Sequence, residues 1–155
     1  MRNKKGFTMM ELLAVIVILG ILSTLAVVAV SGYLKQGYDA TYTDFEKTLE
    51  GAAENALITS ASYLPSVGNS RVIDANWLIC HDFMKELRDP KDNSKNCHEN
   101  SYVIVKRGAD VGFNMDITYD VCLQCGSYQS EACKQSIDNI PRVSVNQECE
   151  DVINE

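Results

Sequence analysis

The stretch Lys4-Lys5-Gly6-Phe7-Thr8-Met9-Met10-Glu11, followed directly by the apolar run from Leu12 to Val30, decides how this chain is organised. The run contains 19 residues and no charged side chain. As a helix it covers about 28 Å, close to the ~30 Å hydrocarbon thickness of a bilayer. We therefore expect a membrane-spanning segment with one carboxylate, Glu11, at its edge, where a charge is costly.

The basic residues predict the orientation of this segment. Arg2, Lys4 and Lys5 precede the apolar run, and no Lys or Arg follows it until Lys35. Since short cytoplasmic flanks carry the excess of Lys and Arg, the basic side stays in the cytoplasm. The remainder of the chain is then expected outside.

Two other interpretations fit a basic start followed by an apolar run. A cleavable secretory signal would use the small residues of Ala29-Val30-Ser31, but the run exceeds the usual ~7–15 residue core of a signal. An acidic Glu11 directly before the run also argues against a signal. A plain N-terminal anchor is the second alternative, and hydropathy alone does not separate it from the first interpretation.

The pattern Gly6-Phe7-Thr8-x-x-Glu11 resembles the N terminus of type IV pilins and of the related pseudopilins of type II secretion and DNA-uptake machines. The resemblance covers roughly the first 30 residues and is silent beyond them. It implies that a prepilin peptidase cuts between Gly6 and Phe7 on the cytoplasmic face and methylates the new amine of Phe7. It also implies that Glu11 occupies the acidic position of the family.

Elementary electrostatics gives this resemblance a physical meaning. The new α-amine has a reference pKa of about 7.7–8.0, so it carries positive charge at neutral pH. In a filament, Glu11 of one subunit can meet the Phe7 amine of its neighbour and set the axial register. Stranding one partner of such a pair costs roughly 3–5 kcal/mol. The local alternative is that Glu11 only neutralises the N terminus of its own helix.

One position departs from the family pattern. Many members carry proline where this chain has Val28, and their filaments often loosen the helix between a glycine and that proline. Gly20 is present here and costs about 1 kcal/mol relative to alanine, but the second helix breaker is absent. We expect less melting, with Ser23 and Thr24 bonding back to preceding carbonyls.

Apolar residues continue at spacings of three and four beyond Lys35, which predicts an amphipathic continuation of the same helix. The expected division is a leader at 1–6, a helix at 7–60 whose residues 7–30 form the membrane or filament core, and a head at 61–155. Such a helix would be on the order of 80 Å long. Its predicted inward stripe comprises Tyr38, Tyr42, Phe45, Leu49, Ala52 or Ala53, and Ala56.

The rest of the chain predicts an α+β head domain with two or three antiparallel strands packed on the upper helix. Asp74 is expected to cap a second helix that runs to about Leu87, where Pro90 stops it. Residues 91–100 are polar and indicate a loop. Strands are predicted at 101–106, 114–123 and 142–145.

Six cysteines lie in the part expected outside: Cys80, Cys97, Cys122, Cys125, Cys133 and Cys149. An even number in an exported domain favours disulfides, each stabilising by a few kcal/mol, but the sequence does not choose among the pairings. Our hypothesis joins Cys80 to Cys97 and leaves the other four to pair among themselves. A zinc or redox role for the Cys122–Cys125 motif is disfavoured, because no second half-site or thioredoxin-like unit accompanies it.

Neither a cofactor nor a catalytic group is expected. His81 and His98 lack a suitably spaced serine or carboxylate; His81 is placed on the exposed side of the second helix and His98 in a loop. Asp89, Asp92 and Asn93, or Asp110, Asn114 and Asp116, could supply oxygens for calcium, but neither stretch has a known ligand spacing. Acidic turns without metal are the default.

Charge argues against strong direct binding to nucleic acid. The formal net charge is −7, and removal of residues 1–6, which carry Arg2, Lys4 and Lys5, would make it −10. Such a surface repels a phosphate backbone on average.

The resemblance therefore implies a structural subunit that is not an enzyme. Before assembly it is inserted in the lipid of the cytoplasmic membrane, where it is processed. It then assembles with other copies into a helical homo-oligomeric filament at the cell surface. Its implied partners are the prepilin peptidase and methyltransferase, an inner-membrane assembly platform and minor pilins. A pseudopilin role is the first alternative, and a secreted or anchored disulfide-bonded binding domain is the second. The residues do not choose among adhesion, motility, secretion and DNA uptake.

Overall fold

The computed structural model describes residues 8–112 and 114–144. In chain order its elements are α1 (Met9–Thr59), a 3₁₀ helix (Ala61–Tyr63), β1 (Ser70–Asp74), α2 (Ala75–Cys80), β2 (Arg88–Asp89), β3 (Asp92–Asn96), β4 (Tyr102–Arg107), β5 (Ile117–Cys122), β6 (Gln124–Cys125), β7 (Tyr128–Gln129), a 3₁₀ helix (Glu131–Lys134) and β8 (Arg142–Val143). Contacts divide the chain into two compact units, Met1–Asp39 and Ala40–Glu155, with the boundary inside α1. The expected α+β class with a long N-terminal helix is confirmed.

The first unit is helical from Met9 onward, and the helix continues through Gly20, Gly32 and Gly37. The Ser23 hydroxyl donates to the Leu19 carbonyl at 2.7 Å, and the Thr24 hydroxyl donates to the Ile21 carbonyl at 2.7 Å. These are the predicted bonds back to the preceding turn. They satisfy both hydroxyls within the helix without breaking it.

The membrane span predicted for residues 12–30 is not confirmed. Among residues 8–112 and 114–144, no helix combines the length and the apolar character that crossing a membrane requires.

In the second unit, residues 40–59 of α1 present most of the predicted inward stripe, whereas Tyr38 and Phe45 are only partly buried. Tyr42, Leu49, Ala53 and Ala56 are each 0% exposed, and Ala52 and Leu57 are also buried. Three of these six residues are alanine. Burial of such a face stabilises the helix far more than intrinsic propensity does.

The main sheet has four strands in the order β5-β4-β1-β8. Strand β4 pairs antiparallel with both β1 and β5, whereas β8 joins the edge parallel to β1. The predicted small antiparallel sheet is confirmed, and β8 extends its edge with one parallel pairing. A parallel neighbour is possible there because a long connection separates β1 from β8 and lets the chain return in the same direction.

Side chains alternate between the two faces of the sheet along each strand, so each face has its own set of apolar residues. Val72, Tyr102, Ile104 and Cys122 form one buried cluster, against which the C-terminal segment packs Cys133, Ile137 and Ile140. Ile73, Val103, Val105 and Tyr119 occupy the other face.

The second face is the one that α1 covers. Burial, together with the carboxylates of Glu54 and Glu50 on α1, raises the pKa of Tyr119. Glu50 of α1 and Tyr119 of β5 also line the same cleft. The sheet is enclosed between residues 40–59 of α1 and the C-terminal segment.

The predicted second helix is much shorter than expected, because α2 ends at Cys80. Asp82 adopts a positive φ of 59°, and Phe83 donates its N–H to the Leu78 carbonyl across the end of the helix. This is a Schellman-type ending with aspartate where glycine is usual, so the sequence carried no glycine signal. Asp74 is the N-cap residue but makes no capping bond, since its carboxylate binds Arg142.

The loop and strand predictions need similar corrections. The predicted loop at 91–100 contains β3, which pairs with β2 across a tight turn at Pro90 and Lys91. The expected strand at 114–123 is β5, shortened to Ile117–Cys122, and the one at 142–145 is described only as Arg142–Val143. The strand predicted at 101–106 is observed with a shift of one residue. Strand β1 and the β6–β7 hairpin were not predicted.

Candidate functional site

The start of α1 is organised by a reciprocal pair, Thr8 and Glu11. The Thr8 backbone N–H donates to Glu11 Oε2 at 3.1 Å, and the Glu11 N–H donates to the Thr8 hydroxyl oxygen at 3.3 Å. The Thr8 hydroxyl also donates to Glu11 Oε2, at 3.2 Å. This is a capping box, in which a Thr and a Glu three residues later satisfy each other's unpaired backbone donors.

The capping box determines what Glu11 can do next. Its carboxylate lies on the first turn, where the helix dipole favours negative charge. Oε2 is engaged locally, whereas Oε1 accepts no hydrogen bond within residues 8–112 and 114–144. Glu11 is exposed, so one oxygen remains open to a donor from outside this segment.

The two processing residues, Gly6 and Phe7, lie outside the described residues. The expected cut is between these two residues, and Thr8, which follows Phe7, is the first residue that the structure describes. The predicted roles of Gly6 and Phe7 stay predictions.

Apolar side chains on the first part of α1 are unusually exposed. Met9 is 91% exposed, Leu12 64%, Ile16 60% and Ile21 60%. The other exposed large apolar residues between them are Met10, Leu13, Val15, Val17, Ile18 and Leu19. A contiguous apolar surface of this kind marks an interaction site, because stable monomers rarely leave one uncovered.

One observed disulfide agrees with the hypothesis that the C-terminal cysteines pair among themselves, and the other does not. Cys97 pairs with Cys125, with Cα atoms 4.2 Å apart, and Cys122 pairs with Cys133, with Cα atoms 4.5 Å apart. Cys80 is also disulfide-bonded, but not to Cys97, so the proposed Cys80–Cys97 pairing is wrong.

The physical reason is the unpredicted β2–β3 hairpin, which places Cys97, at the end of β3, beside β6 and Cys125 instead of α2. Cys149 lies outside the described residues. Since Cys122 and Cys125 are both oxidised, their sulfurs are not the thiolates that a zinc ion binds.

A buried polar cluster, the Asp89 clasp, joins α1 to two hairpins. The Tyr42 hydroxyl donates to Asp89 Oδ1 at 2.9 Å, and the Lys91 N–H donates to the same oxygen at 2.9 Å. The Tyr42 ring stacks on Tyr128 with centroids 4.3 Å apart, and the Tyr128 hydroxyl donates to Glu46 at 2.9 Å. Asp89 is 4% exposed. Its hydrogen bonds offset the cost of burying the carboxylate.

Gly126 is the tightest point of the Asp89 clasp. Its φ is 58°, and a Cβ there would collide with a carboxylate oxygen of Asp89. We expect Gly126→Ala to lower the free energy of unfolding by about 3 kcal/mol, from left-handed strain plus overpacking. Gly68→Ala is the matched control, because its φ is 78° but nothing lies within 4 Å of the added Cβ.

Gly68→Ala should lower the free energy of unfolding by only about 1 kcal/mol, which is the cost of the left-handed backbone conformation alone. Urea unfolding followed by the fluorescence of Trp77, the one tryptophan, measures both variants. Equal losses in the two variants would show that Asp89 does not restrict position 126.

His98 lies in the connection between β3 and β4, the loop in which it was expected, but it is buried there and is 1% exposed. Burial lowers the pKa of its imidazole below the ordinary value of 6.5, although Glu86 and Glu99 act in the opposite direction and Arg88 acts with burial. His81 caps the end of α2, and its ring is exposed and stacks on Trp77. Neither imidazole is hydrogen-bonded to a nucleophile in the described part of the chain.

The pKa of His98 predicts how stability depends on pH. The unfolded chain binds more protons than the folded one below about pH 6.5, so stability is fully present above that value and falls as pH decreases. The free energy of unfolding changes by at most about 1.4 kcal/mol per pH unit through this one imidazole. Urea unfolding between about pH 7 and 5 should show a shallower slope for His98→Gln than for the parent chain.

His81→Gln serves as the control for that series, because it replaces the other histidine of the chain. Identical slopes in the parent chain and in His98→Gln would contradict the assignment.

The two acidic stretches considered for calcium are used in local bonds. Asp110 pairs with Arg107 at 2.7 Å, and Asp92 accepts from the Ser94 hydroxyl at 2.6 Å. Within the described ranges, no three His, Cys, Asp or Glu side chains are grouped so that they could hold a metal ion.

The capping role of Thr8 was not predicted from the sequence. The signal was present, since a Thr followed three residues later by Glu, just before an apolar run, is typical of a capping box. Asp89 and Gly126 were missed for another reason. Their roles arise from contacts between residues distant in the chain, which no local pattern encodes.

Comparison with known proteins identifies the N-terminal segment alone. Residues 1–27 match the family model of the prokaryotic N-terminal methylation motif, the signature of type IV pilins and pseudopilins. The family defined by this motif is structural rather than enzymatic. Neither the curated proteins nor the solved structures contain a match to this chain.

Proposed function

We propose that this chain is a structural subunit of a type IV pilus or pilus-like filament. It is anchored in the cytoplasmic membrane, cut after Gly6, methylated on Phe7 and then assembled through its N-terminal helix. The observation that carries the proposal is the match of residues 1–27 to the N-terminal methylation motif. That motif implies processing by a prepilin peptidase and incorporation into a filament.

The exposed apolar surface of α1 supports assembly through the helix. Large side chains such as Leu12, Ile16 and Leu19 are each more than half exposed. Burying one such side chain fully stabilises by about 1.5–3 kcal/mol relative to water. Neighbouring copies of the same helix supply that burial in a filament, and acyl chains supply it before assembly. The cost of extraction from lipid is then far smaller than exposure to water would impose.

Glu11 supplies the register between subunits. Its capping box stabilises the start of the helix in a single subunit and leaves Oε1 open. The amine created at Phe7 carries the opposite charge. When a neighbour's amine meets this carboxylate among apolar side chains, a misaligned subunit leaves both charges unpaired, which costs roughly 3–5 kcal/mol. Both roles of Glu11 then operate, the local one before assembly and the intermolecular one after it.

Processing and assembly require several partners: the prepilin peptidase and methyltransferase, an inner-membrane assembly platform, minor pilins and other copies of the chain. The described part of the second unit carries disulfides, which form and persist in an oxidising environment such as the outside of the cell. A pseudopilin of a secretion or DNA-uptake machine shares the same N-terminal motif and is the alternative within this class.

Gly6→Val tests the proposal. Glycine lets a backbone be approached closely, and a branched side chain beside the cut bond should block the peptidase. In cells that make the peptidase and assembly platform, we expect the parent chain in filaments sheared from the surface and at least ~95% of Gly6→Val retained uncut in the membrane fraction. Gly20→Ala is the matched glycine control, since nothing lies within 4 Å of its added Cβ.

Gly20→Ala should be cut and assembled like the parent chain. A processed chain found only within the envelope would replace the pilus assignment by the pseudopilin one. Normal processing of Gly6→Val would remove the proposal altogether.

A further inference from the structure

A cleft at one end of the second unit is lined by two loops and the start of β1. Its volume is about 500 Å³, within the range of small-ligand sites. The lining residues are Pro65, Ser66, Gly68, Asn69, Ser70, Arg71, Asn139, Ile140 and Pro141. Arg71 is the one charged residue among them, and none carries a carboxylate. The chain carries a net charge of −7, so a cleft without a carboxylate contrasts with the average charge of the protein.

The first loop is held rigidly. The Asn69 N–H donates to the Ser66 carbonyl at 2.9 Å, and Gly68, at the third position of that turn, has the positive φ of 78° that a type II turn requires. The Gly68 N–H donates to the Arg107 carbonyl, and the Arg107 N–H donates to the Asn69 carbonyl. The turn is therefore fixed to the end of β4 from both sides.

The second loop is fixed as well. The Ile140 N–H donates to the Ile137 carbonyl at 3.0 Å, and the Val72 N–H donates to the Pro141 carbonyl at 2.9 Å. Ile140 also packs on the buried cluster of the sheet. A cleft whose walls are already ordered loses little conformational entropy when it binds a ligand.

The polar side chains in the cleft have donors and acceptors that make no hydrogen bond within the described residues. The side chains of Ser66, Asn69, Ser70 and Asn139 make no hydrogen bond within the described residues, and Arg71 uses only Nη1, which donates to the Ser62 carbonyl at 2.7 Å. Amides and hydroxyls both donate and accept, as sugar hydroxyls do. The free edge of a guanidinium matches a carboxylate. Ile140 and Pro141 add apolar surface for the C–H face of a sugar ring.

We propose that this cleft binds an acidic saccharide, a sugar ring that carries a carboxylate. Arg71 binds the carboxylate, and the Asn69 and Asn139 amides bind ring hydroxyls. The proposal does not depend on filament assembly, because every residue in it belongs to the second unit.

The test uses the full chain in detergent micelles and methyl β-D-glucuronide as the probe. Saturation-transfer NMR and titration should show a Kd on the order of 1 mM. We expect methyl β-D-glucoside, the neutral match, to bind at least ~10-fold more weakly, because it lacks the charge-assisted contact. The same loss is expected for glucuronide binding by Arg71→Gln, and about 3-fold for Asn139→Ala, which removes one hydrogen bond.

Arg88→Gln is the matched control, an exposed arginine outside the cleft, and should change the Kd by less than about 2-fold. Asn139→Ala keeps the test decisive if Arg71→Gln disturbs the loop, since Asn139 is exposed and its side chain makes no hydrogen bond in the described residues. Equal binding of glucoside and glucuronide, or binding that neither variant weakens, would overturn the proposal. Inorganic phosphate that binds as tightly as glucuronide would replace the saccharide by a general anion.

Discussion

Glu11→Gln should reduce the yield of assembled filaments at least 100-fold while leaving processing after Gly6 intact. Glutamine at this position still completes a capping box with Thr8, so the start of the helix is preserved. The negative charge is lost, however, and the amine at Phe7 of each neighbour is left without a partner in an apolar environment. A penalty of roughly 3–5 kcal/mol per interface corresponds to about 100-fold or more in the association constant. Quantification of sheared filaments measures the effect.

Two controls separate charge from local helix structure. Thr8→Val removes the hydroxyl of the capping box but keeps the Glu11 carboxylate, so it should cost the helix only about 1 kcal/mol and preserve most of the filaments. Glu54→Gln neutralises an exposed carboxylate farther along α1 and should leave assembly unchanged. If Thr8→Val abolished assembly as fully as Glu11→Gln, the intermolecular role of Glu11 would be wrong and local capping would be the explanation.

Removal of the Cys97–Cys125 disulfide should cost the second unit about 3.5 kcal/mol of unfolding free energy, a large part of the total for a small domain. The bond closes a loop with a sequence separation of 28, whereas Cys122–Cys133 closes one of 11. Chain entropy therefore predicts a smaller cost of about 3 kcal/mol for the second bond. Urea unfolding of the double variants Cys97→Ala/Cys125→Ala and Cys122→Ala/Cys133→Ala, followed by Trp77 fluorescence, gives both values.

The first bond should also matter more because of what it connects. It joins the end of β3 to β6, beside the Asp89 clasp. Cys122 and Cys133 are additionally held by the buried cluster that contains Val72 and Ile104. A larger loss from the second double variant than from the first would show that packing, and not loop closure, dominates the contribution of these disulfides.

Periodicity predicted the helical part of this fold well. The spacing of Tyr42, Leu49, Ala53 and Ala56 placed the buried stripe of α1 correctly, because a helix face depends on residues three and four apart. The run from Tyr102 to Val105 was equally clear, since β-branched residues there are buried on both faces of the sheet. In each case the local pattern and the final environment agree.

The remaining elements depend on distant residues. Strand β1 was missed because its short segment gains stability only by pairing with β4 and β8. The early end of α2 relies on a left-handed Asp82, and the cysteine pairing follows from the position of the β2–β3 hairpin. The candidate site divides in the same way. Glu11 was identifiable from its motif, whereas the cleft around Arg71 exists only once two loops have been brought together.

The most direct test of the filament assignment is the mass of the mature N terminus, determined by peptide mass spectrometry of the chain recovered from cells that make the assembly machinery. We predict a chain that begins at Phe7 and carries one methyl group on its α-amine. A chain that begins at Gly32 would instead indicate ordinary secretion. An intact Met1 would indicate a simple anchor, and either result would contradict the account.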